Sequence, residues 1–149
     1  MVRKVELGEA SPTAALLVRL AGAFDLTLAG LLVRAEGEGN RLSRAADQPL
    51  WTDPASGYVR RQILAIPEHP IELVEVEMPA GQEVVLPKSS YALIRQAVWV
   101  QAGALTITEG GVRYELQPGD CLAFGPPSEV KFANETGKPC RYVVALDRR

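Results

Sequence analysis

Hydrophobic residues recur along this chain with two different periods. In "SPTAALLVRLAGAF" Leu17, Leu20, Ala21 and Phe24 stand at i, i+3, i+4 and i+7, which is one stripe of an amphipathic helix. Ser11 is the expected N-cap, with Pro12 at the first helical position, where its missing N–H costs nothing. A second short helix is predicted behind Thr27, because Leu28, Leu31, Leu32 and Ala35 repeat the spacing. The intervening "DLT" is a tight connection, so the two helices are expected as a hairpin with facing apolar stripes. Residues 36–57, "EGEGNRLSRAADQPLWTDPASG", hold few large apolar side chains and many turn formers; they are expected as a linker, with or without an edge strand over 41–46, closed by a turn at "DPASG".

Beyond that turn the period becomes two. "YVRRQILAI", "IELVEVEM", "EVVL", "AVWVQA", "ALTIT", "VRYEL", "CLAF", "VKFA" and "CRYVVAL" are short runs of Val, Ile, Leu and aromatics bounded by Pro, Gly, Asn or Asp. Many short strands at this spacing predict an antiparallel sandwich or closed barrel. In "ELVEVEM" the alternation sends Val74, Val76 and Met78 to the core face and Glu75 and Glu77 to the other.

Composition narrows the class of function. At 149 residues the chain is the size of one compact domain with a helical arm. Its net charge of −2 leaves no overall electrostatic footprint for a phosphate backbone. No apolar run approaches the roughly 20 residues of a membrane helix, and "MVRKVELGEASP" lacks the apolar stretch of a secretory signal, so a cytoplasmic protein without a membrane partner is expected. Cys121 and Cys140 are too few for a disulfide framework; each lies in an apolar strand context and is expected as a free buried thiol. A nucleophile elbow, a P-loop and a dinucleotide fingerprint are all missing. For acid–base chemistry the available carboxylates are Glu129 and Glu72, although strand carboxylates mostly alternate outward.

The glycines at strand corners carry a resemblance. "PAG" ending at Gly81, Gly103 in "VQAGAL", Gly111, "QPGD" and Asn134 resemble the two motifs of the cupin superfamily, over about residues 58 to 147. The resemblance implies a mainly β fold: a cupin double-stranded β-helix, or jelly roll, occupying 58–149 and preceded by the short helical hairpin. Cupins commonly hold a metal with histidines from these motifs and a glutamate. Counting back from Gly103 puts Gln96 at the glutamate position, with Ser90 and Ala92 near the paired histidines and Val130 at the last one. The single histidine of the chain, His69 in "PEHPIE", falls in a connection between two prolines. About three imidazoles and a carboxylate would be needed, so neither a metal nor another cofactor is expected. On strand parity Ser90, Gln96, Val98, Val130 and Phe132 face inward, and Ala97, Trp99 and Gln101 outward. The inward set forms either a pocket for a small organic ligand or simply a filled core. Trp99 on an outer face predicts burial against a second copy, as a homodimer through the outer sheet.

The opening "ELGEASPTAALLVRLAGAFDLTLAGLL" is similar to the latter portion of an Xre/lambda-repressor-like helix-turn-helix domain, departing from it at Leu7, where the family usually has arginine. Residues 1–35 are thereby expected as a remnant of such a domain: the tail of a recognition helix over Val2 to Leu7, then two helices. Arg3 and Lys4 could touch DNA phosphates, contacts that position rather than specify. DNA is expected as a partner only if the preceding helices are present, since the base-reading turn is not in this sequence. The order of parts implies the ligand-sensing and dimerisation portion of a bacterial transcriptional regulator. The alternative is a metal-independent small-molecule enzyme using carboxylates such as Glu129.

Overall fold

A computed structural model describes residues 13–23 and 41–148. The helix α1 spans Ala14–Ala23. Its first turn is held by Thr13, whose Oγ1 accepts the Leu16 N–H at 3.2 Å, while the Ala14 N–H donates to Asp53 Oδ1 at 3.0 Å. Ser11, Pro12, Phe24 and the whole of the predicted second helix lie outside the described residues. Ala14 and Leu17 are buried, so the helix is anchored through its N-terminal end.

Ten strands follow: β1 (Leu50–Thr52), β2 (Val59–Ala65), β3 (Ile71–Met78), β4 (Glu83–Leu86), β5 (Ile94–Ala102), β6 (Leu105–Glu109), β7 (Val112–Leu116), β8 (Cys121–Ala123), β9 (Val130–Ala133) and β10 (Cys140–Arg148). The edge strand considered for 41–46 is absent. Ala45–Asp47 form a 3₁₀ turn instead, and the edge strand begins at Leu50. The reason is local: the β-forming pair Trp51 and Thr52 stands after Pro49, whereas 41–46 offers no β-branched or aromatic side chain. Asp53 then closes β1. Its buried carboxylate takes the Ser56 N–H and hydroxyl on Oδ2, at 3.1 and 2.6 Å, and the Ala14 N–H on Oδ1. The "DPASG" turn is therefore also the peg on which α1 hangs.

The strands form two antiparallel sheets, one in the order β1-β2-β3-β10-β5-β8 and one in the order β4-β9-β6-β7. Their inner faces share a single core of Val74, Val76, Met78, Val98, Val100, Leu105, Ile107, Val130 and Phe132, all buried. This is a mainly β jelly roll. Gly103 turns β5 into β6 at φ 72°, and a Cβ there would stand 2.6 Å from the Pro139 carbonyl oxygen, so only glycine fits. Gly110 and Gly111, both at positive φ, make the two-residue hairpin between β6 and β7. Asn134 is buried; its Nδ2 donates to the carbonyls of Met78 and Lys138, and its Oδ1 accepts from Thr136, tying the β9–β10 turn to the end of β3.

Of the two thiols, Cys140 is buried as expected, but Cys121 is exposed. It lies on edge strand β8 opposite Trp99, on the outer face of the larger sheet, where strand parity rather than apolar context decides burial. Among the described residues no helix is long and apolar enough to cross a membrane.

Candidate functional site

Register shows which side chains the larger sheet sends inside. Val76 faces Arg60 on β2 and Tyr142 on β10; Val74 faces Gln62 and Val144; Val144 in turn faces Val98 on β5. Directly opposed residues share a face. Because Val74, Val76 and Val98 are in the core, Arg60 and Gln62 point into the barrel as well. A bulge between Gln62 and Leu64 ends this run of β2 by shifting its register. The result is unusual for a core strand: Tyr58, Arg60 and Gln62 put three polar side chains inside in succession.

The middle of the barrel is filled by rings. Tyr91, at the end of the 3₁₀ turn Lys88–Tyr91, meets Phe124 at a centroid distance of 5.9 Å; Phe124 stacks on Phe132 at 6.0 Å, and Phe132 on Tyr142 at 6.0 Å with only 3° between the planes. At the open end of this ladder a shallow recess with about 10 Å³ of water-accessible volume opens to solvent. Tyr91, Gln96, Glu109, Phe124 and Val130 line it, with Gly125 to Ser128 at the rim. Glu109 is held in place by the Gly125 N–H, which donates to its Oε2 at 2.8 Å.

The phenols inside are neutral donors. Burial raises Tyr91 above the ordinary tyrosine value, with the Gln96 amide pulling the other way; burial likewise raises Tyr58 and, further still, Tyr142. The Arg60 guanidinium opposes the rise at all three, which places it among them. Four buried polar atoms of this region have no hydrogen-bond partner: Arg60 Nε, Gln62 Oε1, Ser90 Oγ and Tyr91 OH.

The residues expected to bind a ligand are distributed unevenly. Gln96 and Val130 line the recess; Val98 and Phe132 are packed into the core; Ser90 sits half-buried in the turn beside Tyr91. Arg3 and Lys4 lie outside the described residues. Trp99 is 49% exposed on the outer face. Glu129 is exposed beside β9, whereas Glu72 is fully buried and ion-paired, with its Oε1 3.1 Å from Arg148 Nε. Arg60, Gln62, Tyr58, Tyr91 and Glu109 were not singled out from the sequence. The parity of "YVRRQIL" contained a signal for the first two, since Tyr58, Arg60 and Gln62 alternate with Val59 and Arg61.

A cupin fold raises the question of a metal, and the donors present do not fit one. Ser90, Ala92, Gln96 and Val130 stand at the positions reached by the motif spacing, and His69 is exposed in the β2–β3 connection with Nδ1 3.2 Å from the Ile71 N–H. Among the described residues no three His, Cys, Asp or Glu side chains gather closely enough to ligate an ion.

Two antiparallel sheets closed over one interior filled by aromatic rings define a protein of the jelly-roll class. Residues 74–146 match the Cupin domain family, and the chain carries a cupin domain there. No curated protein matches the sequence. Among solved structures, an HTH_3 family transcriptional regulator from Vibrio cholerae is similar over 100% of this chain and 79% of its own, at 16% identity and a TM-score of 0.79. The Cupin_2 domain of an XRE family transcriptional regulator from Enterobacter cloacae is similar over 62% of this chain and 97% of its own, at 15% identity and TM-score 0.56. The polyketide cyclase RemF from Streptomyces resistomycificus is similar over 72% and 79%, at 15% identity and TM-score 0.57. At such identities the likeness is one of fold, and it spans regulators and enzymes alike.

Proposed function

We propose that this chain is the small-molecule-sensing part of a transcriptional regulator of the helix-turn-helix plus cupin kind. One observation carries the reading: α1 packs against β4 and against the Lys88–Tyr91 turn, and Tyr91 of that turn lines the recess. A ligand that moves Tyr91 therefore pushes on a turn in contact with the helix, so that two helix placements can differ in ligand affinity. The whole-chain likeness to a regulator, helical part included, supports the same assignment. The test is a metabolite thermal-shift screen of the full chain, followed by hydrogen exchange over residues 14–23 with each hit. A sensor gives a ligand that raises Tm and alters exchange in α1, with no chemical change to the ligand by mass spectrometry. Conversion of the ligand, abolished by Glu109→Gln or Glu129→Gln, would instead establish a metal-independent enzyme.

We also propose that the outer face of the larger sheet pairs with a second copy of the chain. Leu64, Leu73, Ala145, Ala97 and Ala123 lie side by side across five strands, and the next row runs Arg61, Glu75, Val143, Trp99 and Cys121, charged at one end and apolar at the other. This continuous apolar row, small at its three alanines, suits face-to-face packing, and Trp99 supplies a large anchor. Sedimentation of the native chain as a dimer, and of Trp99→Glu as a monomer, is the expected result; a native monomer at tens of micromolar overturns it.

A further inference from the structure

An arginine inside a barrel needs a reason. Arg60 is half-buried, but its Nε is fully buried, and a buried N–H left without an acceptor costs about 1–3 kcal/mol. Among the described residues Arg60 has no ion pair: its neighbours are the phenols of Tyr58, Tyr91 and Tyr142, and its Nε is buried and unpartnered. Its strand neighbour Arg61 points outward and does have a carboxylate, with Nε 3.9 Å from Glu75. The contrast within one dipeptide is between a guanidinium paired with a carboxylate on the outer face and one whose inward Nε is left unpaired.

The surrounding atoms add a pattern. Tyr91, 6% exposed, has a buried hydroxyl without a hydrogen-bond partner, and it feels the Arg60 charge. Gln62, 4% exposed, offers an acceptor, Oε1, that nothing satisfies. Buried polar groups without partners are costly and cluster where a ligand completes them.

From this arrangement we propose that the interior face of β2, beyond the recess that Tyr91 lines, takes a compact organic carboxylate, its anionic group held by Arg60 and the Tyr91 hydroxyl and a donor on its carbon skeleton bonded to Gln62 Oε1. One cation suits a single negative charge; a phosphate dianion would ask for more. The proposal rests on the sensor reading and adds the class of ligand.

The experiment titrates the full chain with acetate, lactate, glycerate and succinate, with lactamide as the neutral analogue of lactate and with inorganic phosphate, reading Tm and calorimetric heat. A hydroxycarboxylate is expected to raise Tm and bind at least tenfold more tightly than the amide. Arg60→Gln should lower that affinity at least tenfold, Gln62→Glu should abolish it by repulsion, and Arg60→Lys, which keeps the charge if Arg60→Gln folds poorly, should keep the preference for the acid over its amide. Equal binding of acid and amide, undiminished binding by Arg60→Gln, or tighter binding of phosphate would each overturn the carboxylate assignment. So would silence across this panel alongside stabilisation by a neutral metabolite, which would leave the sensor reading standing. If no small molecule of any class stabilises the chain, both readings fall.

Discussion

The two sheets of this jelly roll face the same interior and treat it differently. The four-stranded sheet contributes Val84, Leu86, Leu105, Ile107, Val130 and Phe132, an apolar wall whose one inward acid, Glu109, stands at the mouth. The six-stranded sheet contributes valines together with Tyr58, Arg60, Gln62, Glu72 and Tyr142. Dispersion and apolar burial hold the first; the second accepts desolvation costs that stability alone would not select. A division of labour follows, one sheet for packing and one for recognition, and it can be broken or sharpened by substitution.

The largest effect is expected on the apolar wall. Phe132→Ala interrupts the ring ladder between Phe124 and Tyr142 and should cost about 3–5 kcal/mol in a denaturant melt. A loss below ~2 kcal/mol would mean that the ladder is not the keystone of the core. Next comes the one fully buried carboxylate of the polar sheet. Arg148→Met removes the ion pair to Glu72 and the bonds that Arg148 Nη2 donates to the carbonyls of Ile66, Pro67 and His69, so a destabilisation of about 3 kcal/mol is expected by the same melt.

Cys140 gives a pH signature of intermediate size. Burial pushes its thiol up to about 11, against roughly 8.5 for an unfolded cysteine. The unfolded chain therefore releases this proton first, and the stabilisation, full below pH ~8.5, is lost as pH rises toward 11. Between pH 8.5 and 10, before the tyrosines of an unfolded chain titrate, native protein should lose about 1–2 kcal/mol that Cys140→Ala does not lose. Parallel Tm–pH curves for the two proteins would show that Cys140 is not the source. The smallest effect is the most discriminating: Gln62→Leu removes an unsatisfied acceptor at nearly constant volume and should leave stability unchanged or raise it by up to about 1 kcal/mol. A clear loss would show that the amide is structurally employed, and the polar sheet would then differ less from its partner.

Much of this was legible along the chain. The alternation in "VEVEM" matches β3 from Val74 to Met78, whereas at the start of the strand polarity and burial are reversed, with Glu72 buried and Ile71 exposed; Gly103, Gly111 and Asn134 sit at the corners their types require. The ligand-lining set was legible only in part. Gln96 and Val130 reach the recess, but Val98 and Phe132 have the same parity and lie deeper, because period two tells which face a side chain takes and not how far along the barrel axis it sits. Arg60 and Gln62 escaped notice because a charged residue in a strand reads as solvent-facing. Cys121 was misplaced for the converse reason, an apolar neighbourhood on an edge strand whose outer face is open.

Local chemistry, then, determined the strands and their corners, since periodicity and glycine conformations are properties of short segments. Which inward side chains meet was decided by tertiary structure alone: strand order brings β2 next to β3 and β3 next to β10, a pairing of distant segments that no short window encodes. That pairing put an arginine, an amide and three phenols into one interior, and it hung α1 on Asp53 within reach of the turn that covers them.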